Sequence, residues 1–130
     1  LAGLRRGDAL PPFTLHISSA DVAAYLEATG ERCALWSTLV PPLALGAFAL
    51  AGLMERVELP AGILHTGQEH EFRRPLAHDE PVEVGVEVGA RSERGGAVVL
   101  ALDGVWRAGG EEVGTSRTTV LVPPPGEARG

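Results

Sequence analysis

Apolar side chains recur at helical spacing in the first half of this chain and at a spacing of two in the second half. The helical part centres on Pro41–Val57. It carries no charge until Glu55 and is entered through two prolines, which are tolerated in a first helical turn because amides there have no intrahelical acceptor. At about 100° per residue, Leu43, Leu50, Leu53, Met54 and Val57 gather on one stripe, and Ala44, Leu45, Ala49, Ala51 and Gly52 cover most of the rest. A helix apolar all round is expected to be buried. Its Ala and Gly positions suit the close approach of a flat partner such as a sheet. The run is shorter than the roughly 20 apolar residues a membrane span needs.

A second helix is predicted upstream. Ser18 or Ser19 caps the run, Asp21 lies in its first turn, Val22, Tyr25, Leu26 and Thr29 fall at helical spacing, and Gly30 stops it. A short strand is predicted at Phe13–Ile17, after the turn-rich stretch Gly7–Phe13, and Glu31–Val40 reads as a connector. Beyond the turn Pro60-Ala61-Gly62, strands are predicted at Ile63–Arg74, Pro81–Ser92, Ala97–Arg107 and Val113–Val122. Arg94-Gly95-Gly96 and Gly109-Gly110 serve as hairpin turns. Val82, Val84, Val86 and Val88 alternate with Glu83, Gly85, Glu87 and Gly89, as in a half-exposed strand. Gly67 lies inside the first long strand, where glycine marks a bulge or close backbone approach, here expected over the small-residue face of the helix.

Strand, helix, helix and then four antiparallel strands give an α+β fold. One sheet of about five strands wraps a central buried helix, a hotdog architecture. Residues 1–122 are expected to form this single domain and 123–130 a flexible proline-rich tail.

Composition narrows the function. At 130 residues and 45% hydrophobic, one domain buries roughly two thirds of its unfolded surface. The net charge is −6, and all eleven basic residues are arginine without a basic run, so neither nucleic acid nor a membrane surface is an expected partner. The single cysteine, Cys33, excludes an internal disulfide and fits a cytoplasmic protein. Leu1–Arg6 lacks the apolar region of a signal peptide.

Three segments resemble one family. Gly62–Leu76 is similar to the strand after the central helix of MaoC-like dehydratases, closest to the N-terminal half of the fatty-acid-synthase type. The Ser-x-x-Asp-Val-x-x-Tyr helix ending at Gly30 and the closing Gly110–Val122 resemble the same family. The resemblance spans about residues 7–122. It implies hydration of 2-enoyl thioesters or dehydration of 3-hydroxyacyl thioesters, carried on coenzyme A or acyl carrier protein. It implies no cofactor, and a homodimer or a heterodimer with a catalytic hotdog subunit.

Catalytic members carry an Asp and a His in Gly-Asp-x-Asn-Pro-x-His, with a His-Gly amide at the start of the central helix polarising the thioester carbonyl. Gly30 matches that pattern. Glu31 replaces the Asp, Cys33 the Asn, Ala34 the Pro and Trp36 the His. An indole nitrogen only donates, and losing one general base costs about 10²–10⁴ in rate. Pro42 stands where the amide donor belongs and has no N–H, a loss of about 10²–10³. The connector from Gly30 to Pro41 is also much shorter than in catalytic members.

The expected function is therefore a substrate-channel subunit for acyl thioesters without the Asp/His dyad. The alternatives are a self-sufficient hydratase or dehydratase using Glu31 or His65 as base, or an acyl-thioester hydrolase in which Glu31 or Glu69 activates water. Each base has a bland alternative: a solvated loop carboxylate for Glu31, a strand histidine satisfied by a neighbour for His65. Trp36, Pro42, Gly67 and Gln68 are the expected substrate-binding residues. Arg73 and Arg74 are weighed as phosphate contacts against plain surface solvation. His65, His70 and His78 differ in strand parity and imply no metal site.

Overall fold

A computed structural model describes residues 3–56 and 63–124. The expected tail beyond Pro124, the helix end at Val57 and the turn Pro60-Ala61-Gly62 lie outside the described residues. The elements run β1 (Ala9–Leu15), α1 (Ser19–Thr29), a 3₁₀ turn at Ala34–Ser37, β2 (Leu39–Val40), α2 (Pro42–Arg56), β3 (Leu64–Phe72), β4 (Leu76–Ala77), β5 (Val82–Arg94), β6 (Ala97–Ala108) and β7 (Glu111–Val122). Five of the strands form one antiparallel sheet in the order β1-β5-β6-β7-β3, and β2 pairs with β4 as a separate two-stranded piece.

Local chemistry explains most boundaries. Ser18 Oγ accepts from the Asp21 amide and Asp21 Oδ2 accepts from the Ser18 amide, both at 3.0 Å, so the first turn of α1 is capped reciprocally. Gly30 ends α1 in the left-handed region at φ 71°. Gly95-Gly96 and Gly109-Gly110, all at positive φ, make the two hairpin turns that join β5, β6 and β7.

The expected first strand, Phe13–Ile17, is displaced. β1 begins at Ala9 and ends at Leu15, so the stretch read as turn is strand. Pro11 and Pro12 are accommodated because β1 is an edge strand and its register against β5 shifts between Leu10 and Phe13.

The sheet's concave face holds the core. Val82, Val84, Val86, Val88, Leu100, Leu102, Trp106, Val120 and Val122 are buried there, with Ala44, Leu45, Ala49 and Leu53 of α2 in the same cluster. Two helix glycines set how closely α2 approaches. A Cβ at Gly46 would lie 2.8 Å from His70 Nε2, and one at Gly52 would lie 2.7 Å from the Phe13 ring. The expectation of a helix buried on every side needs correction. Only the side facing the sheet is covered, whereas Leu43, Ala47 and Ala51 are exposed, since a single five-stranded sheet shields one flank.

Gly67 also needs correction in part. The ladder between β3 and β7 does shift between His65 and Gly67, so the bulge exists, with Thr66 the extra residue. The close approach does not: a Cβ at Gly67 would meet only Thr119 of the adjacent strand, at an ordinary 3.5 Å.

Candidate functional site

A largely apolar cavity lies at the start of α2. It measures about 350 Å³ and is walled by Leu35, Trp36, Leu39 and Val40 of the connector, Pro42 and Leu45 of α2, and Phe72 to Leu76. The connector runs beside α2 because β2 zips onto β4, Leu39 opposite Ala77 and Val40 opposite Leu76. That pairing brings together two residues singled out from the sequence, Trp36 and Pro42.

Arg73 and Arg74 stand at the rim, already neutralised. Arg74 donates to both carboxylate oxygens of Glu80, at 2.9 and 3.2 Å, and to Glu111, while Arg73 pairs with Glu112 at 3.0 Å. The Glu80 and Glu111 hydrogen bonds push the Arg74 guanidinium further above its ordinary range. In return Arg74 holds the Glu80 carboxyl below the usual carboxylate range, opposed by partial desolvation. Both arginines are thus engaged in holding β3, β4 and β7 together.

Trp36 also faces a second, more open cleft of about 570 Å³, which Glu31, Cys33 and His78 line with residues of α1. Glu31 is exposed there and forms no ion pair with a histidine among the described residues. Its charge does help raise the Tyr25 phenol pKa, chiefly an effect of burial. His65 is exposed on β3, away from Glu31's cleft, with Nε2 3.0 Å from Gln68 Oε1. The two candidate bases are not brought together. Gln68 Oε1 also accepts from the Thr118 hydroxyl at 2.9 Å, and Gln68 lines a small void of about 10 Å³ under α2 with Gly46, His70 and Ser116. Gly67 lines none of these spaces.

Two histidines considered in the sequence only as metal ligands have structural places near the site that it does not reveal. His70 follows Gln68 by two residues on the same face of β3 and packs against Phe72 and Trp106, with all three ring centroids 5.6–5.7 Å apart. Burial lowers its pKa from the ordinary value, so it sits neutral against Gly46. The alternation Gln68, His70, Phe72 was the available signal. His78 lies in the turn after β4 and reaches the connector through contacts 39 and 42 residues away in sequence, which no local pattern reveals.

Comparison with solved structures settles the architecture. An (R)-hydratase from A. caviae involved in PHA biosynthesis superposes with TM-score 0.72 at 21% identity, over 93% of this chain and 98% of that one. The chain has the hotdog fold. A MaoC-like dehydratase from Rhodospirillum rubrum matches with TM-score 0.71 at 18% identity, covering 94% of both chains. The C-terminally truncated HadBC (3R-hydroxyacyl-ACP dehydratase) complex from Mycobacterium tuberculosis matches with TM-score 0.73 at 16% identity, over 93% of this chain and 99% of that one. No family model and no curated protein matches the sequence. The structural neighbours thus include an (R)-hydratase, a MaoC-like dehydratase and a hydroxyacyl-ACP dehydratase complex.

Proposed function

We propose that this chain is a hotdog subunit that binds the acyl part of a thioester, carried on coenzyme A or acyl carrier protein, without performing hydration itself. The observation that carries this reading is the wall of the 350 Å³ cavity. It is apolar apart from two arginines held by carboxylates, and Trp36 and Pro42, which the sequence resemblance aligns with a general base and an amide donor, both line it. Such a cavity takes a hydrocarbon tail and offers nothing to activate water. Glu31 lies in the separate cleft on the far side of Trp36.

A second hotdog subunit completes the assembly in this reading. β1 is blunted by Pro11 and Pro12, whereas β3, among the described residues, pairs with β7 alone and offers its other edge. The uncovered Leu43, Ala47 and Ala51 flank of α2 is apolar as well. The HadBC neighbour is itself a complex of subunits. Cys33, exposed and unpaired, suits a reducing compartment such as the cytoplasm.

Isothermal titration of the chain with octanoyl-coenzyme A tests the binding site. Saturable binding is expected, and Leu39→Trp, which fills the cavity from its partly exposed wall, should abolish it. No binding by the unaltered chain, or equal binding by both, would overturn the assignment.

A further inference from the structure

The Trp36 wall of the cavity belongs to a segment with little structure of its own. From Gly30 to Thr38 the only regular piece is the single 3₁₀ turn Ala34–Ser37, and every residue except Trp36 is exposed. The indole N–H of Trp36 is buried and has no hydrogen-bond partner among the described residues, so the ring is not held by its own polar atom. What holds the segment is its backbone. His78 Nε2 lies 3.0 Å from the carbonyl oxygen of Trp36 and 3.2 Å from that of Leu39. The His78 amide donates to the carbonyl of Thr38 between them, at 3.2 Å. Because both ring contacts are to acceptors, Nε2 carries the hydrogen.

His78 is itself firmly placed. The next residue, Asp79, is the one non-glycine residue at positive φ among those described, at 61°, and its amide donates to the Ile17 carbonyl at 2.8 Å. The Ala77 amide donates to Glu80 Oε1 at 3.1 Å, and Glu80 is gripped by Arg74. A left-handed aspartate persists where its surroundings over-determine it. The Arg74–Glu80 pair thus braces a turn, the turn places His78, and His78 reaches across to the connector.

We propose that His78 is the positioning residue for the cavity: its Nε2–H holds the Trp36 and Leu39 carbonyls and thereby sets how far the Trp36 wall stands from α2. The role deepens the acyl-site reading above and rests on it for the ligand, although not for the placement of the indole. Removing the donor frees the 34–39 backbone, widens the cavity and lets Trp36 swing toward solvent.

Acrylamide quenching and octanoyl-coenzyme A titration of the same variants test it. Trp106 is 1% exposed, so the quenchable fluorescence reports Trp36. Glutamine places an amide N–H near the position of histidine Nε2, and asparagine does not reach it. The expected result is that His78→Asn raises quenching and weakens octanoyl-coenzyme A about fivefold, the equivalent of one hydrogen bond, while His78→Gln behaves as the original. Denaturation midpoints are measured in parallel, so that variants folded equally well are compared. Equal quenching in the folded Asn variant would overturn the proposal, and so would a Gln variant as loose as Asn. If the unaltered chain binds no octanoyl-coenzyme A, the acyl reading fails and the quenching comparison still decides the role of His78.

Discussion

His65 and Gln68 are three residues apart on one strand, yet Nε2 of the first lies 3.0 Å from Oε1 of the second. In a regular strand such a pair faces opposite sides of the sheet. The bulge at Thr66 adds one residue, and so turns His65 to the concave face with Gln68, His70 and Phe72. Gln68 Oε1 then accepts from Thr118, a hydroxyl only 3% exposed.

That geometry makes Gln68 the satisfier of a buried donor. Gln68→Leu should cost about 1–3 kcal/mol, because Thr118 keeps its hydroxyl and loses its acceptor. Adding Thr118→Val should recover part of the loss, so the double variant is less destabilised than the sum of the singles. Urea denaturation of the four proteins in the cycle measures this. Strict additivity would mean that the contact carries no energy.

The two glycines on facing elements should respond oppositely to alanine. Gly46→Ala drives a methyl against the His70 ring, which Phe72 and Trp106 hold from behind, at an overpacking cost of about 1–3 kcal/mol. The gain in helix propensity, about 1 kcal/mol at most, offsets only part of this. Gly67→Ala meets ordinary contact and should be neutral or stabilising by up to about 1 kcal/mol. Thermal melts of both variants check the contrast.

Burial of His70 makes stability depend on acidity. Its pKa is lowered in the folded chain, so just below the ordinary value of 6.5 the unfolded chain binds a proton that the native chain refuses. The contribution is fully present above pH 6.5. It is lost as the pH falls from there toward the lowered native value, below which the loss stays constant. His70→Phe, which cannot titrate, should flatten that part of the profile. Denaturation midpoints between pH 7.5 and 5 for the two proteins provide the test.

A β3 edge with no partner strand among the described residues and an apolar α2 flank should not stay exposed to water. Light scattering of the isolated chain is expected to give a mass at least twice the 13.6 kDa of one copy. A monomer at micromolar concentration would remove the pairing part of the account.

The core strands were legible because Val82 to Val88 alternate with charged or small residues, and α1 because Ser18 and Gly30 mark its ends. β1 was hidden by Pro11 and Pro12, which mark turns in most settings and an edge strand in this one. β2 and β4, two residues each, are too short to show any period, and they are what bring Trp36 to the cavity. The one-sided burial of α2 depends on how much sheet reaches it, a tertiary fact absent from its own periodicity. Trp36 and Pro42 emerged from comparison with a catalytic motif and do line one space. His78 acts across some forty residues through backbone carbonyls, which carry no sequence signature.

A chain that binds acyl thioesters without hydrating them, as proposed above, should fail to turn over crotonyl-coenzyme A on its own. In the proposed reading the general base and the amide donor are both lost, and two such losses, acting on different charges in the transition state, multiply to about 10⁴–10⁷. The rate should therefore stand at the no-protein background, and Trp36→His alone should restore little. Rapid hydration by the unaltered chain that disappears in Glu31→Gln or His65→Ala would contradict the account.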